Sequence, residues 1–137
     1  MQKISTTRYG YLVKLSLNFP EAIDAVKKAF AIEGFGVLSE IDVREKMKEK
    51  LGKEMGKYVI LGMCNPTLAF QAIELEREIG LLLPCNVIVY SNGNETVISA
   101  QQPKLMVAVT GNNNLEEVAN EADARILKVL EVLAGNK

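Results

Sequence analysis

The N-terminal part of the chain changes from one hydrophobic period to another. Residues 11–17 alternate between apolar and polar, and this period of two predicts a strand with one buried face. Asn18 follows, with Glu21 three residues later, and apolar residues then recur every three or four positions up to Gly34. The combination of a capping pattern, a 3.6-residue period and a C-terminal glycine predicts a helix that packs on the sheet.

The next segment predicts a second strand and a charged helix. Residues 37–43 have a strand pattern in which one face is partly exposed to solvent. Residues 44–55 are rich in lysine and glutamate, with Val43, Met47 and Leu51 at four-residue spacing. This pattern is typical of a short amphipathic helix, or of a loop followed by a helix. Because the glutamates cancel most of the field of the lysines, a solvated face is favoured over an anion-binding patch.

A buried strand and a helix are predicted in the middle of the chain. Residues 58–63 suit a buried strand. Asn65 is a favoured N-cap and Pro66 a favoured first helical residue, so a helix begins there and is expected to end at Gly80. The run Leu81–Leu83 must be covered by protein. We expect it to lie in the core and to contribute to a dimer contact.

The second half of the chain predicts a hairpin and a long helix. Residues 85–91 alternate, with Cys85, Val87, Val89 and Ser91 on one face. The turn residues 92–94, Asn-Gly-Asn, tolerate positive φ and join this strand to a strand at 96–100. After Pro103 and a short apolar connector, Asn114 is the predicted N-cap of a helix with an apolar stripe that reaches residue 133.

Composition restricts the classes of function. The 137 residues are 48% hydrophobic and 24% charged, with a net charge of −1, which predicts one domain and no general attraction to nucleic acid or anionic lipid. A signal peptide pattern and a membrane-length apolar run are both missing, so we expect a cytoplasmic protein. The absence of histidine removes the usual general base and the commonest metal ligand. Sequence motifs for nucleotide phosphates and two-metal centres are also missing.

The two cysteines are the candidates for chemistry. Cys64 lies just before a helix N-terminus, where unpaired amides favour a thiolate and lower the pKa of a thiol. It could equally be a small buried hydrophobic residue. Because the helix between Cys64 and Cys85 can run out and return, we expect both thiols at the same end of the sheet, close enough for a shared soft metal ion or a reversible disulfide. The alternative is two core residues that face different layers.

Both cysteines lie in motifs that resemble a known family. The runs Ile60-Leu-Gly-Met-Cys-Asn-Pro66 and Gly80-Leu-Leu-Leu-Pro-Cys-Asn-Val87 resemble the paired signature of the domain of unknown function 302 family. Gly34-Phe-Gly-Val-Leu-Ser-Glu-Ile-Asp42, Gln102-Pro103 and the final helix are also similar to it. The resemblance covers nearly the whole chain. It implies a single α+β domain over residues 1–137, with a mostly antiparallel sheet packed by helices in a TATA-binding-protein-like order, β-α-β-β-β-β-α with an added helix. It also implies a homodimer, and no established activity.

Three hypotheses for function follow. The first is a homodimeric module that binds a small molecule or a soft metal ion near Cys64, Asn65, Pro66, Cys85 and Asn86, with any metal held by the two cysteines. The second is a thiol-dependent redox enzyme that uses Cys64, although no base is evident for it. The third is a purely structural or partner-binding protein. No catalytic residue or cofactor is assigned, and neither nucleic acid nor a membrane is expected as a partner.

Overall fold

Six strands form one open antiparallel sheet in the computed structural model, which describes residues 3–135. The strands are β1 (Ser5–Thr6), β2 (Gly10–Leu15), β3 (Gly36–Asp42), β4 (Tyr58–Cys64), β5 (Cys85–Asn92) and β6 (Glu95–Gln101). The helices are α1 (Phe19–Ile32), α2 (Val43–Leu51), α3 (Pro66–Leu75), α4 (Leu105–Thr110) and α5 (Glu116–Ala134). The spatial order of the strands is β1-β2-β6-β5-β4-β3. The predicted α+β class is confirmed, and the order β-α-β-β-β-β-α is present once β1 and the short helices α2, α3 and α4 are set aside.

One face of the sheet packs against α1 and α5. Its central row is formed by β-branched residues that pair across four strands, Val13 with Ile98, Ile98 with Val89, and Val89 with Val59. All four side chains are buried, and each contributes about 1.5–3 kcal/mol by leaving water. Phe30 of α1 is buried in the same layer. The burial of alternate residues confirms the alternation predicted for β2 and β5.

The opposite face of the sheet and the β3 edge are more open. Tyr58 and Tyr90 stack on this face with ring centroids 5.7 Å apart, and they are only half-buried. Every residue of β3 is exposed, including Leu38 at 68% and Ile41 at 43%. The expected partly exposed face of this strand is therefore found, but its other face is exposed as well, because β3 forms the edge of the sheet.

Local capping chemistry determines several element boundaries. The backbone N–H of Glu21 donates to Asn18 Oδ1 at 3.0 Å, which confirms the predicted start of α1. The hairpin between β5 and β6 is also confirmed, with Asn92 opposite Glu95 and a φ of 64° at Gly93. Only glycine adopts that φ at little cost.

The prediction for the start of α5 is wrong. The side chain of Asn112, and not Asn114, accepts the cap hydrogen bond, and its donor is the backbone N–H of Asn114 at 3.0 Å. A 3₁₀ turn at Asn113–Leu115 follows, and α5 begins at Glu116 without a side-chain cap. The extra turn shifts the capping residue by two positions.

The predicted end of α3 is also wrong. The helix ends at Leu75, and a 3₁₀ helix at Arg77–Leu82 replaces its last turns before a cis peptide bond joins Leu83 to Pro84. Leu82 and Leu83 are half-buried against the core, whereas Leu81 is 83% exposed. The expectation that all three leucines are covered therefore fails for Leu81 within one chain.

Helix α2 is confirmed at Val43–Leu51, where Val43 and Met47 are half-buried but none of its residues is fully buried. Helix α4 falls in the segment that the sequence predicted only as an apolar connector. None of the helices within residues 3–135 is both long and apolar enough to cross a bilayer.

Candidate functional site

A cavity of about 310 Å³ lies between the ends of β4 and β5, helix α3 and the start of α5. Its walls include Met63, Cys64, Leu68, Ala72, Cys85 and Val118. Among the described residues that line it, none is charged, and Asn65 is the only one with an amide side chain. A cavity of this size and polarity is suited to a small apolar group.

The register of the sheet brings the two cysteines to this cavity. Met63 of β4 lies opposite Cys85 of β5, and Cys64 is the next residue along β4. Strand spacing then gives a Cα separation of about 6 Å between the two cysteines. Both are free thiols that are partly exposed, and both line the cavity. They therefore lie at the same end of the sheet.

The electrostatics of the thiols differ from the sequence prediction. Burial raises the pKa of Cys64, and burial together with repulsion from Cys64 raises the pKa of Cys85 to about 11. The prediction of a lowered pKa at Cys64 is therefore wrong. Its physical reason is desolvation, because the apolar walls penalise the charged thiolate. At neutral pH both cysteines are protonated thiols.

Asn65 links three elements at the rim of the cavity. Its Oδ1 accepts from the backbone N–H of Leu68 at 3.2 Å, which confirms the predicted cap of α3. Its Nδ2 donates at 3.3 Å to the carbonyl of Glu33, which also accepts from Arg125 Nη1 at 3.2 Å. Asn65 is only 8% exposed. Its side chain therefore joins the end of α1 to the start of α3, and the same Glu33 carbonyl is joined to helix α5 by Arg125.

The other two predicted site residues lie elsewhere. Pro66 is exposed in the first turn of α3 and is not part of the cavity wall. Asn86 is exposed, and its backbone N–H donates to Gln101 Oε1 at 3.3 Å. It borders a separate depression near Ile88 and Ser99. Cys64, Asn65 and Cys85 thus line one cavity, whereas Asn86, although next to Cys85 in the sequence, does not line it.

Sequence reasoning missed the residues that shape the cavity. Ala69 and Ala72 of α3 line the cavity with small side chains, which leave room for it. Met63 and Met106 add two thioether sulfur atoms to its walls. Met63 directly precedes the candidate residue Cys64 in the sequence. The position of Met63 opposite Cys85 depends on a strand register that the sequence does not state.

A buried polar cluster lies outside the cavity walls. The hydroxyl of Tyr11 donates to Asp123 Oδ1 at 2.7 Å, and Lys104 Nζ lies 3.7 Å from Asp123 Oδ2. Burial and the nearby carboxylate raise the pKa of Tyr11 to about 12. Because Asp123 is only 4% exposed, these partners satisfy a carboxylate that would otherwise be costly to bury.

Comparisons with known proteins agree with this architecture. The family model described as domain of unknown function DUF302 matches residues 11–133. A solved structure, described as the crystal structure of uncharacterized conserved protein DUF302 from Bacillus stearothermophilus, is similar over 91% of this chain and 98% of its own, with 31% identity and a TM-score of 0.84. No curated protein matches this chain.

Proposed function

The chain belongs to the domain of unknown function DUF302 family, and we propose that it is a binding module that holds a small apolar molecule in the cavity beside Cys64 and Cys85. The observation that carries this proposal is the uncharged cavity of about 310 Å³. An apolar cavity offers water few hydrogen-bond partners, so an apolar ligand displaces little that is favourable. The two thiols supply weakly polar contacts at one wall.

A homodimer is part of the proposal. Leu38 lines the cavity and also lies on the exposed β3 edge. Strand edges with apolar side chains tend to be covered, and a second copy at this edge would reduce the access of solvent to the cavity. Light scattering tests this point. A concentration-independent mass near the 15.1 kDa of one chain would overturn it.

The location and extent of the module complete the proposal. We place the protein in the cytoplasm, where free thiols such as Cys64 and Cys85 stay reduced. We also treat residues 1–137 as one domain, which the single sheet and the family match over residues 11–133 support.

The two alternatives fare differently. A thiol-dependent enzyme would require Cys64 to ionise readily, but burial raises its pKa. A structural role for the motifs gains support at Asn65, whose side-chain hydrogen bonds are made within the chain. That role is compatible with the cavity, because Asn65 caps helix α3 and α3 forms one wall of the cavity.

Binding of indole, a small apolar probe, tests the proposed function. We expect indole to shift amide NMR resonances around Met63 and Leu68 in the reduced protein. Ala69→Phe should fill the cavity and abolish the shifts, whereas Ala31→Phe, on the exposed side of α1, should leave them unchanged. Indole shifts that persist in a folded Ala69→Phe variant, or that never appear in the natural chain, would refute the cavity as the ligand site.

A further inference from the structure

Sulfur atoms are concentrated on the walls of the cavity. Two thiols and two thioethers line it, from Cys64, Cys85, Met63 and Met106. The chain has only two cysteines and five methionines in total. The cavity therefore combines a soft donor set with an uncharged, apolar surrounding.

The cavity brings three of these residues together at one end of β4 and β5. Met63 and Cys85 are opposite each other on β4 and β5, and such pairs have Cβ atoms about 4.5–5.5 Å apart on one face. Cys64 is the next residue along β4 and lines the same cavity as Cys85. Met63 is only 1% exposed, so its thioether is already removed from solvent.

We infer that Cys64, Cys85 and Met63 form a binding site for a monovalent soft metal ion of the Cu(I) class. This inference rests on the proposed function for its open cavity, which the ion must enter, and not on the apolar character of the ligand. Thiolate and thioether donors select Cu(I), which is satisfied by a low coordination number.

Coordination chemistry disfavours a divalent ion at this position. Structural Zn²⁺ takes four nitrogen, sulfur or oxygen ligands, and residues 3–135 contain no group of three or more His, Cys, Asp or Glu that could hold a metal. On binding Cu(I), each cysteine loses its proton to solvent and forms one Cu–S bond. The resulting complex carries one negative charge and lies at the N-terminus of α3, a ten-residue helix whose dipole favours that sign.

Anaerobic titration of the reduced full-length protein with Cu(I), in competition with the chromophoric chelator bicinchoninate, tests the site. We expect one Cu(I) per chain, sulfur scatterers in X-ray absorption, and much weaker binding of Zn²⁺. Cys64→Ala and Cys85→Ala should each lower the affinity more than about 100-fold, because loss of even an outer partner of a metal ligand costs up to about that much. Met63→Leu, which keeps the side-chain volume, should lower the Cu(I) affinity about 10-fold, which is the lower end of the loss caused by removing an outer partner of a metal ligand.

Met55→Leu is the matched control, because Met55 is 36% exposed and does not line the cavity. Its Cu(I) affinity should equal that of the natural chain. Cu(I) affinity that survives both cysteine substitutions, or Zn²⁺ binding as tight as Cu(I), would overturn the metal site. An unchanged affinity in Met63→Leu would remove the thioether ligand.

The indole experiment separates the two proposals. If metal-free protein binds indole but not Cu(I), the metal site is refuted and the proposed function stands. If it binds Cu(I) but not indole, the apolar ligand is refuted and the metal site stands. Thermal melts of each variant, without metal, show that a lost affinity does not reflect unfolding.

Discussion

Replacing Asn65 by alanine should destabilise the protein by about 2 kcal/mol. Loss of the cap of α3 costs about 1 kcal/mol, and loss of the hydrogen bond from Nδ2 to the carbonyl of Glu33 costs about 1 kcal/mol more. No further penalty is expected at that carbonyl, because Arg125 Nη1 continues to donate to it.

Urea unfolding followed by circular dichroism measures this loss. With a slope of about 2 kcal/mol per molar urea for a small domain, the midpoint should fall by about 1 M. Asn18→Ala is the matched control, because Asn18 caps α1 on the surface through a single side-chain hydrogen bond. It should cost only about 1 kcal/mol.

Asn65→Ser separates the two contributions without adding a charge. A serine keeps an oxygen that caps the helix at the backbone N–H of Leu68 but lacks the amide that donates to Glu33, so its stability should lie between those of the natural chain and Asn65→Ala. If Asn65→Ala is no less stable than Asn18→Ala, the link between α1 and α3 contributes nothing and the structural role of Asn65 is refuted.

Three further outcomes are expected. Tyr11→Phe should cost about 1.5–3 kcal/mol at pH 7, because it removes a hydrogen bond to the buried carboxylate of Asp123. The folded state raises the pKa of Tyr11 to about 12. This stabilisation is therefore complete below about pH 10, the ordinary tyrosine pKa, and is lost as the pH rises towards 12. If the difference in denaturant midpoint between the natural chain and Tyr11→Phe stays constant from pH 8 to 12, this linkage is contradicted. Gly62→Ala should lower the free energy of unfolding by about 1–3 kcal/mol, because the new Cβ would lie 2.8 Å from the ring of Pro84. Gly36→Ala is the control in thermal melts, because a Cβ there meets nothing within 4 Å among the described residues. Equal losses at both positions would show that crowding is not the cause. Iodoacetamide should alkylate Cys64 and Cys85 more slowly than free cysteine at pH 7, because the raised pKa values leave little thiolate; a faster reaction at Cys64, measured by mass spectrometry, would restore the thiol-enzyme hypothesis.

Features determined by neighbouring residues were predictable from the sequence. Asn18 and Asn65 cap helices because each side chain reaches an N–H three residues ahead, and Gly93 forms the hairpin because its φ is accessible without strain. The alternation in β2 correctly identified its buried face, and the alternation in β5 correctly grouped Val87 and Val89 on one face. In each case the chemistry acts within a few residues.

Features that depend on distant pairing were not predictable. The full exposure of β3 follows from its position at the sheet edge, and the strand order is not encoded in its own residues. The pKa of Cys64 was predicted in the wrong direction because the apolar wall opposite it comes from other segments. Asn112 and Asn114 are chemically equivalent candidates for a cap, and only the added 3₁₀ turn selects the first.

The position of β2 beside β6 determines when the chain can fold. Gly10 pairs with Gln101, so β2 cannot take its place in the sheet until synthesis has passed residue 101. The β5–β6 hairpin forms from local contacts, but joining β2 to it closes the long loop between Leu15 and Glu95, which is slow. While the polypeptide emerges from the ribosome, the apolar side of β2 therefore remains without its final partner, and a nascent chain stalled before residue 95 would be a natural substrate for chaperones.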